Sequence, residues 1–343
     1  MKIEQYAKKT FLALKNPFNT VVRVNPLIID KVEQSLKDND YAYYVGTKNT
    51  NVIPDSLLEN IENKGFLFHT KDVMAYGGRA IDIYLRNPIT DRFMSGSSSG
   101  TALNVFYGIN DIGVGTDGGG SILAPAAALN LYGFISPLIA TKHLQQFEKQ
   151  STDNITFTPA IGYITRDIMP LFEIIKATLN IETNQKIVAV LLNSNQAENK
   201  NIEEIAKQLA TNKIQINYQE FPDLTSSRNT LIKFLNSLDK NQIVISLEGP
   251  IDLEGIGDSI FGHFDPNTQL TQAKSGKGLM RVVNMSGKSA FVLPTKELGV
   301  TRVVICHSDM AMIAQAINIV QMIDIKQSKL IKQYFSNLDM YFE

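Results

Sequence analysis

The sequence predicts an α/β layer fold, a mixed sheet covered by helices. Two observations carry that reading. Apolar runs of strand length alternate with stretches of helical apolar spacing along most of the chain. One region, Ser95 to Ala128, instead holds two clusters of Gly and Ser around a single apolar segment, which marks it as a site rather than a piece of core.

In chain order, Ile3 to Leu14 reads as a surface helix, and Pro17 as a turn. Thr20-Val-Val-Arg-Val has the composition of a short strand. Leu27 to Leu36 is helical by its apolar spacing, and Tyr41 to Val45 is a strand that ends just before Lys48. Asp55 opens a helix through Ile61 that Gly65 ends, and Phe66-Leu-Phe is the next strand. In the second half, strands are expected at Lys186–Leu192, Ile214–Tyr218 and Gln242–Leu247, with helices at Ile202–Leu209 and Leu231–Leu238. Pro250 to Lys277 is long, glycine-rich and weakly periodic, the profile of a loop over a site or of a mobile segment. Ala290–Leu293 and Arg302–Cys306 look like paired central strands, and Ala311–Met322 like a closing helix. The run Lys326 to Lys332 reads as a solvated helix face. No internal repeat, low-complexity tract or linker is evident, so residues 1–343 are expected to form a single domain.

The two small-residue clusters are Gly96-Ser97-Ser98-Ser99-Gly100 and Gly115-Thr116-Asp117-Gly118-Gly119-Gly120-Ser121. Glycine and serine bury little apolar surface and are costly to order, so they are kept where the backbone approaches something closely or bends unusually. Between the clusters, Ala102 to Phe106 reads as a short helix that Ser99 or Ser98 can cap, and Ile112-Gly-Val114 as a buried strand. Three glycines before Ser121 allow the N–H groups of Gly118, Gly119, Gly120 and Ser121 to converge on one point, as an oxyanion hole requires. A serine hydroxyl is a poor nucleophile without a base in reach. None of the four histidines, His69, His143, His263 and His307, lies near this motif, whereas a lysine made neutral by burial can do the same work.

These residues resemble the signature of the amidase signature family. Gly96-Ser97-Ser98 with Gly115-Thr-Asp-Gly-Gly-Gly-Ser121-Ile122 and Pro125-Ala-Ala matches its serine- and glycine-rich segment. Gly65 to Asp72 resembles the G-A-x-x-x-G-K-T-N segment, and Arg86-Asn87-Pro88 an R-N-P ahead of the serines. Tyr44-Val-Gly-Thr-Lys48-Asn resembles the strand end P-I-A-V-K-D-N. Ile161 to Asp167 resembles V-G-P-x-x-R-x-x-x-D, and Asn284-Met-Ser-Gly287 with Leu293-Pro294 the N-x-x-G…x-P. The matches run in order over nearly the whole chain. The resemblance implies a three-layer α/β/α fold with a central mixed sheet, and a Ser-cisSer-Lys hydrolase that needs neither metal nor cofactor. Ser121 falls on the nucleophile, Ser97 on the bridging serine and Lys48 on the base. The family's non-proline cis peptide would be Gly96–Ser97. Asp117 would brace the loop, with Thr116 and Ser98 in support.

Rival readings are weaker. Lys71 competes for the role of base but aligns with a non-catalytic lysine of the family. Gly113-Val-Gly115-Thr-Asp-Gly118 imitates a dinucleotide fingerprint, yet no Asp or Glu follows at the required distance. No lysine precedes Ser121, so a P-loop is excluded. Cys306 and His307 are adjacent on a predicted strand and should point to opposite faces.

Composition sets the bounds. Hydrophobic residues make up 44% and charged residues 20%, with 33 basic and 34 acidic side chains, ordinary for a globular chain. A net charge of −1 offers no argument for direct nucleic-acid or anionic-membrane binding. The one cysteine, Cys306, cannot form an internal disulfide, and no long apolar run opens the chain, which points to the cytoplasm. The expected partner is a small-molecule amide. A homodimer, a catalytically silent amidase-like binding protein, and an amidotransferase-type subunit active only in a complex are the alternatives. The chain is shorter than usual for the family, and it departs from it at two positions. Ser99 stands for a glycine and Leu123 for an arginine. Losing that guanidinium removes an anion-binding group, so an uncharged or apolar amide is the expected substrate.

Overall fold

The computed structural model describes residues 3–181, 188–212, 214–325, 329–335 and 337–342. Its strands are β1 Val21–Val24, β2 Tyr43–Lys48, β3 Phe66–Asp72, β4 Ile81–Arg86, β5 Phe93–Ser95, β6 Ile112–Asp117, β7 Tyr132–Ser136 and β8 Lys149–Gln150. They continue with β9 Thr156–Phe157, β10 Ala160–Thr165, β11 Ala189–Asn193, β12 Gln215–Gln219, β13 Gln242–Glu248, β14 Lys288–Pro294 and β15 Thr301–His307. Eleven of them form one sheet in the order β1-β3-β2-β6-β10-β7-β14-β15-β13-β11-β12. The sheet is mixed. β2 runs parallel to both β3 and β6, β11 parallel to both β12 and β13, and the pairs from β6 through β15 to β13 are antiparallel. β4–β5 and β8–β9 are separate two-stranded ribbons.

Strand alternation sends side chains to two cores, one on each face. On one face Ile112, Val114, Phe134, Phe291 and Val304 pack under the helices Asp55–Glu62, Ile168–Leu179, Lys200–Thr211 and Met310–Ile323. On the other, Ile135, Ala290, Val292, Val303 and Ile305 pack with the helices Ser99–Phe106, Leu123–Ala128 and Arg228–Asn236. The result is the expected α/β/α sandwich. Among the described residues, no helix is long and apolar enough to cross a membrane.

Most expected elements are present within a few residues, and two differ. The Pro250–Lys277 stretch contains the helix Pro266–Ala273, started by a capping box in which Asp265 and Thr268 exchange hydrogen bonds. That helix has no buried residue, which is why apolar periodicity could not reveal it. The strand expected from Lys186 begins at Ala189, and Lys186 lies outside the described residues. The Lys326–Lys332 run is likewise partly outside them.

Candidate active site

The site forms where the C-terminal ends of β2 and β6 lie side by side. Lys48 is the last residue of β2, and Thr116 and Asp117 are the last of β6. Parallel pairing of Thr47 near Val114 sets these ends level. The two serine clusters then close on them. Ser98 donates its backbone N–H to the Ser121 carbonyl at 3.2 Å, which ties the start of the helix Ser99–Phe106 to the end of the glycine turn. Gly115 permits this closeness, because a Cβ there would stand 2.7 Å from Ser98 Oγ. Ser98 and Ser99 do not cap the helix with their side chains as expected. Ser98 Oγ donates to the Thr116 carbonyl at 3.5 Å and Ser99 Oγ to Asp82 at 2.5 Å, so both hydroxyls are spent on tertiary contacts.

Lys48 is 3% exposed, and its Nζ lies 2.7 Å from Ser97 Oγ and 3.0 Å from Thr116 Oγ1. Burial, opposed by Asp117 and assisted by Lys149, lowers its pKa to about 7. The amine is therefore substantially neutral near pH 7, as a general base must be. Lys71 is elsewhere, with its ammonium 5.9 Å over the Phe68 ring. Cys306 is buried with its thiol pKa raised by desolvation, and it does not line the site.

Lys48, Ser97, Thr116, Gly118, Gly119 and Ser121 all line one cavity of about 290 Å³. Among the described residues, Ser121 makes no side-chain hydrogen bond, so the Lys48–Ser97 link is formed and the Ser97–Ser121 link is not. The Gly96–Ser97 peptide is trans. The cis bond among the described residues is Gly249–Pro250. Gly96 instead turns the chain with φ +70°, a left-handed backbone that delivers Ser97 to Lys48 without the rarer isomer.

The glycine turn is built around Asp117. Its carboxylate, fully buried, accepts N–H groups of Gly120 at 2.8 Å and Ile122 at 2.6 Å. These bonds hold the turn, and they change one expectation. Gly120 gives its N–H to Asp117 and is buried, so it is unavailable to an oxyanion, whereas Gly118 and Gly119 face the cavity. Asn284 adds a second brace. Its Nδ2 donates to the carbonyls of Asp117 at 3.1 Å and Thr158 at 2.9 Å. The asparagine motif was visible in the sequence, but its job was not.

The cavity walls come from segments with no local signal. Arg79 donates Nε to Asp258 at 2.7 Å and Nη2 at 2.6 Å, across 179 residues, and both residues line the mouth. The ribbon β8–β9 forms another wall, pressed so close that a Cβ on Gly118 would stand 2.5 Å from Phe157. No group of three or more His, Cys, Asp or Glu side chains among the described residues is arranged to hold a metal ion.

The Amidase family model matches residues 79–201, which include both serine clusters. Over that segment the chain resembles the amidase family. It is 34% identical over 93 residues to Amidase 1 of Arabidopsis thaliana, a match that covers 25% of this chain and 19% of that one. The likeness in fold extends much further. A bacterial aryl acylamidase of the amidase signature enzymes superposes with a TM-score of 0.62 at 16% identity, covering 97% of this chain and 94% of its own. 6-Aminohexanoate cyclic dimer hydrolase, solved with its substrate, gives 0.61 at 12% identity over 99% and 95%. Allophanate hydrolase of Kluyveromyces lactis gives 0.59 at 12% identity over 94% and 70%. At these identities the sheet and its helices are what the chain shares with these structures.

Proposed function

We propose that the protein is an amide hydrolase in which Ser121 is the nucleophile, Ser97 the bridging hydroxyl and Lys48 the base. One observation carries the proposal. A buried lysine with its pKa lowered to about 7 contacts Ser97 at 2.7 Å, inside the cavity that Ser97 shares with Ser121. A lysine kept only for solubility would be exposed, and a silent relative has no reason to bear the cost of burying one.

In this reading Ser121 Oγ attacks the carbonyl carbon of the amide. Its proton passes to Ser97 Oγ as the Ser97 proton passes to neutral Lys48. The carbonyl oxygen becomes an oxyanion held by N–H groups of Gly118, Gly119 and Ser121, each well-placed donor being worth about 3 kcal/mol. The tetrahedral centre then collapses. The C–N bond breaks, and the ammonium proton of Lys48 returns through Ser97 to the leaving nitrogen, which departs as the amine. Water attacks the Ser121 ester, giving its proton to Lys48 through the same relay, and collapse releases the carboxylic acid and restores Ser121. Thr116 holds Lys48 in register with Ser97, and Asp117 holds the turn.

Fluorophosphonate labelling followed by intact mass and peptide mapping tests the assignment. Label should appear on Ser121 in the wild type and be lost in Ser121→Ala and Lys48→Ala. A folded wild type that takes no label from neutral to alkaline pH would remove the hydrolase reading. Label that survives Lys48→Ala but not Lys71→Ala would move the base to Lys71.

A further inference from the structure

Leu123, where the family resemblance leads one to expect arginine, is fully buried in the helix Leu123–Ala128 and gives the cavity no charge. The cavity is nonetheless cationic, because the fold brings charges to it from elsewhere. Lys149 on β8 and Arg228 at the start of the helix Arg228–Asn236 both line it.

The charges around them are unevenly satisfied. Two carboxylates line the cavity, Asp117 and Asp258, and both are committed. Asp117 accepts the N–H groups of its own turn, and Asp258 accepts Arg79 on one oxygen and the Ile260 N–H, at 2.9 Å, on the other. The cations are less committed. Among the described residues no carboxylate lies within 4 Å of the Lys149 ammonium. Arg228 gives Nη1 to Asp153 at 2.7 Å, which leaves most of its five N–H donors for another acceptor. Arg228 is only 13% exposed, so an anion reaching it would be largely out of water, where a guanidinium binds most strongly.

The segments that carry these cations are tied to the turn that carries Ser121. Asp153 sits in the turn of the β8–β9 ribbon and holds Arg228 to it, with Ser151 donating to the same carboxylate at 2.6 Å. Phe157 of that ribbon lies against Gly118, and Asn284 joins the carbonyls of Thr158 and Asp117. The ribbon and the glycine turn therefore form one unit, with cations on one side and the reactive hydroxyl on the other.

We infer that this amidase acts on a small amide that carries a carboxylate elsewhere in the molecule, held by Lys149 and Arg228 while its amide lies at Ser121. The inference rests on the reading of Ser121 as nucleophile for turnover, but its binding part does not. It departs from the expectation of an uncharged substrate, which followed the lost arginine at position 123 and could not see residues 149 and 228 converge.

Titration calorimetry with Ser121→Ala separates the two readings, because it needs no catalysis. Succinamate, an amide with a distal carboxylate, should bind at least tenfold tighter than butyramide, its neutral counterpart of similar size. The preference should shrink at least tenfold in Lys149→Met and in Arg228→Met built on the same background, and should fall with added salt. Equal binding of the two amides, tighter binding of butyramide, or a preference that both substitutions leave intact would overturn the carboxylate site. Wild-type turnover is read separately. Tight succinamate binding by a protein that fluorophosphonate does not label would keep the anion site and discard the hydrolase.

Discussion

In the proposed mechanism the chemistry turns on Lys48, whose neighbours are hydroxyls, with no ion-pair partner among the described residues. Burial alone therefore decides its protonation, trimmed by the more distant Asp117 and Lys149. Two outcomes follow for activity on a neutral amide. Lys48→Met should lower kcat/KM by about 10²–10⁴-fold, the usual worth of a general base. In the wild type kcat/KM should rise through pH 7 as Lys48 loses its proton, then level off. Lys149 contributes to the lowering, so Lys149→Met should move that limb to higher pH. A pH–rate profile of each variant checks both, and a limb that stays in place in Lys149→Met would remove the coupling between the two lysines. At this scale much was legible, because Ser97, Ser121 and Lys48 each sit in a short motif. That Gly120 is unavailable to the proposed oxyanion hole was not, since three consecutive glycines look alike until Asp117 claims one N–H.

Secondary-structure elements place these residues by close approach. Gly96 illustrates the demand. Its φ of +70° is costly for any other residue, and a Cβ there would run into the ring of Pro125 in the helix that follows Ser121. Gly96→Ala should therefore cost about 1–3 kcal/mol of stability from backbone strain and overpacking. It should also pull Ser97 away from Lys48. Urea denaturation reads the first effect and the rate of fluorophosphonate labelling the second. An alanine variant as stable and as reactive as the wild type would show that the turn has another way to form. The strands and helices around this turn were readable because each carries an apolar stripe toward one of the two cores. The helix Pro266–Ala273 was not, because it buries nothing and is held by its Asp265 cap. A Gly-Ser cluster signals a close approach but does not say which isomer achieves it, and Gly96 achieves it with a trans bond.

Across the whole molecule, the sheet order puts β2 beside β6 and carries the cavity walls in from residues as far apart as Arg79 and Asp258. Such pairings leave no trace in local sequence, which is why the motif set was legible and the pocket that gives it a substrate was not. The same burial that tunes the base also acts on the stability of the entire fold. Unfolded, Lys48 titrates near its ordinary value of 10.5, and folded it titrates at about 7. Between these values the unfolded chain holds the proton and the folded protein does not, so stability gains with rising pH. The contribution is complete above about pH 10.5, declines as pH falls toward 7, and is lost below that, where the folded state must keep a buried ammonium. Of the other buried groups, Asp72 is raised to about 7 and His69 lowered to about 3, both by burial, and they act below this window, whereas Cys306, pushed up by burial, acts at its upper end. Comparing the wild type with Lys48→Met cancels those contributions. Methionine fills similar space without a charge, so the variant should be the more stable protein at pH 7 and its advantage should shrink steadily toward pH 10.5. Urea midpoints measured across that range would show it. A stability difference that does not change with pH would mean that Lys48 keeps its ordinary pKa in the fold, and the proposed base would then be protonated where the enzyme has to work.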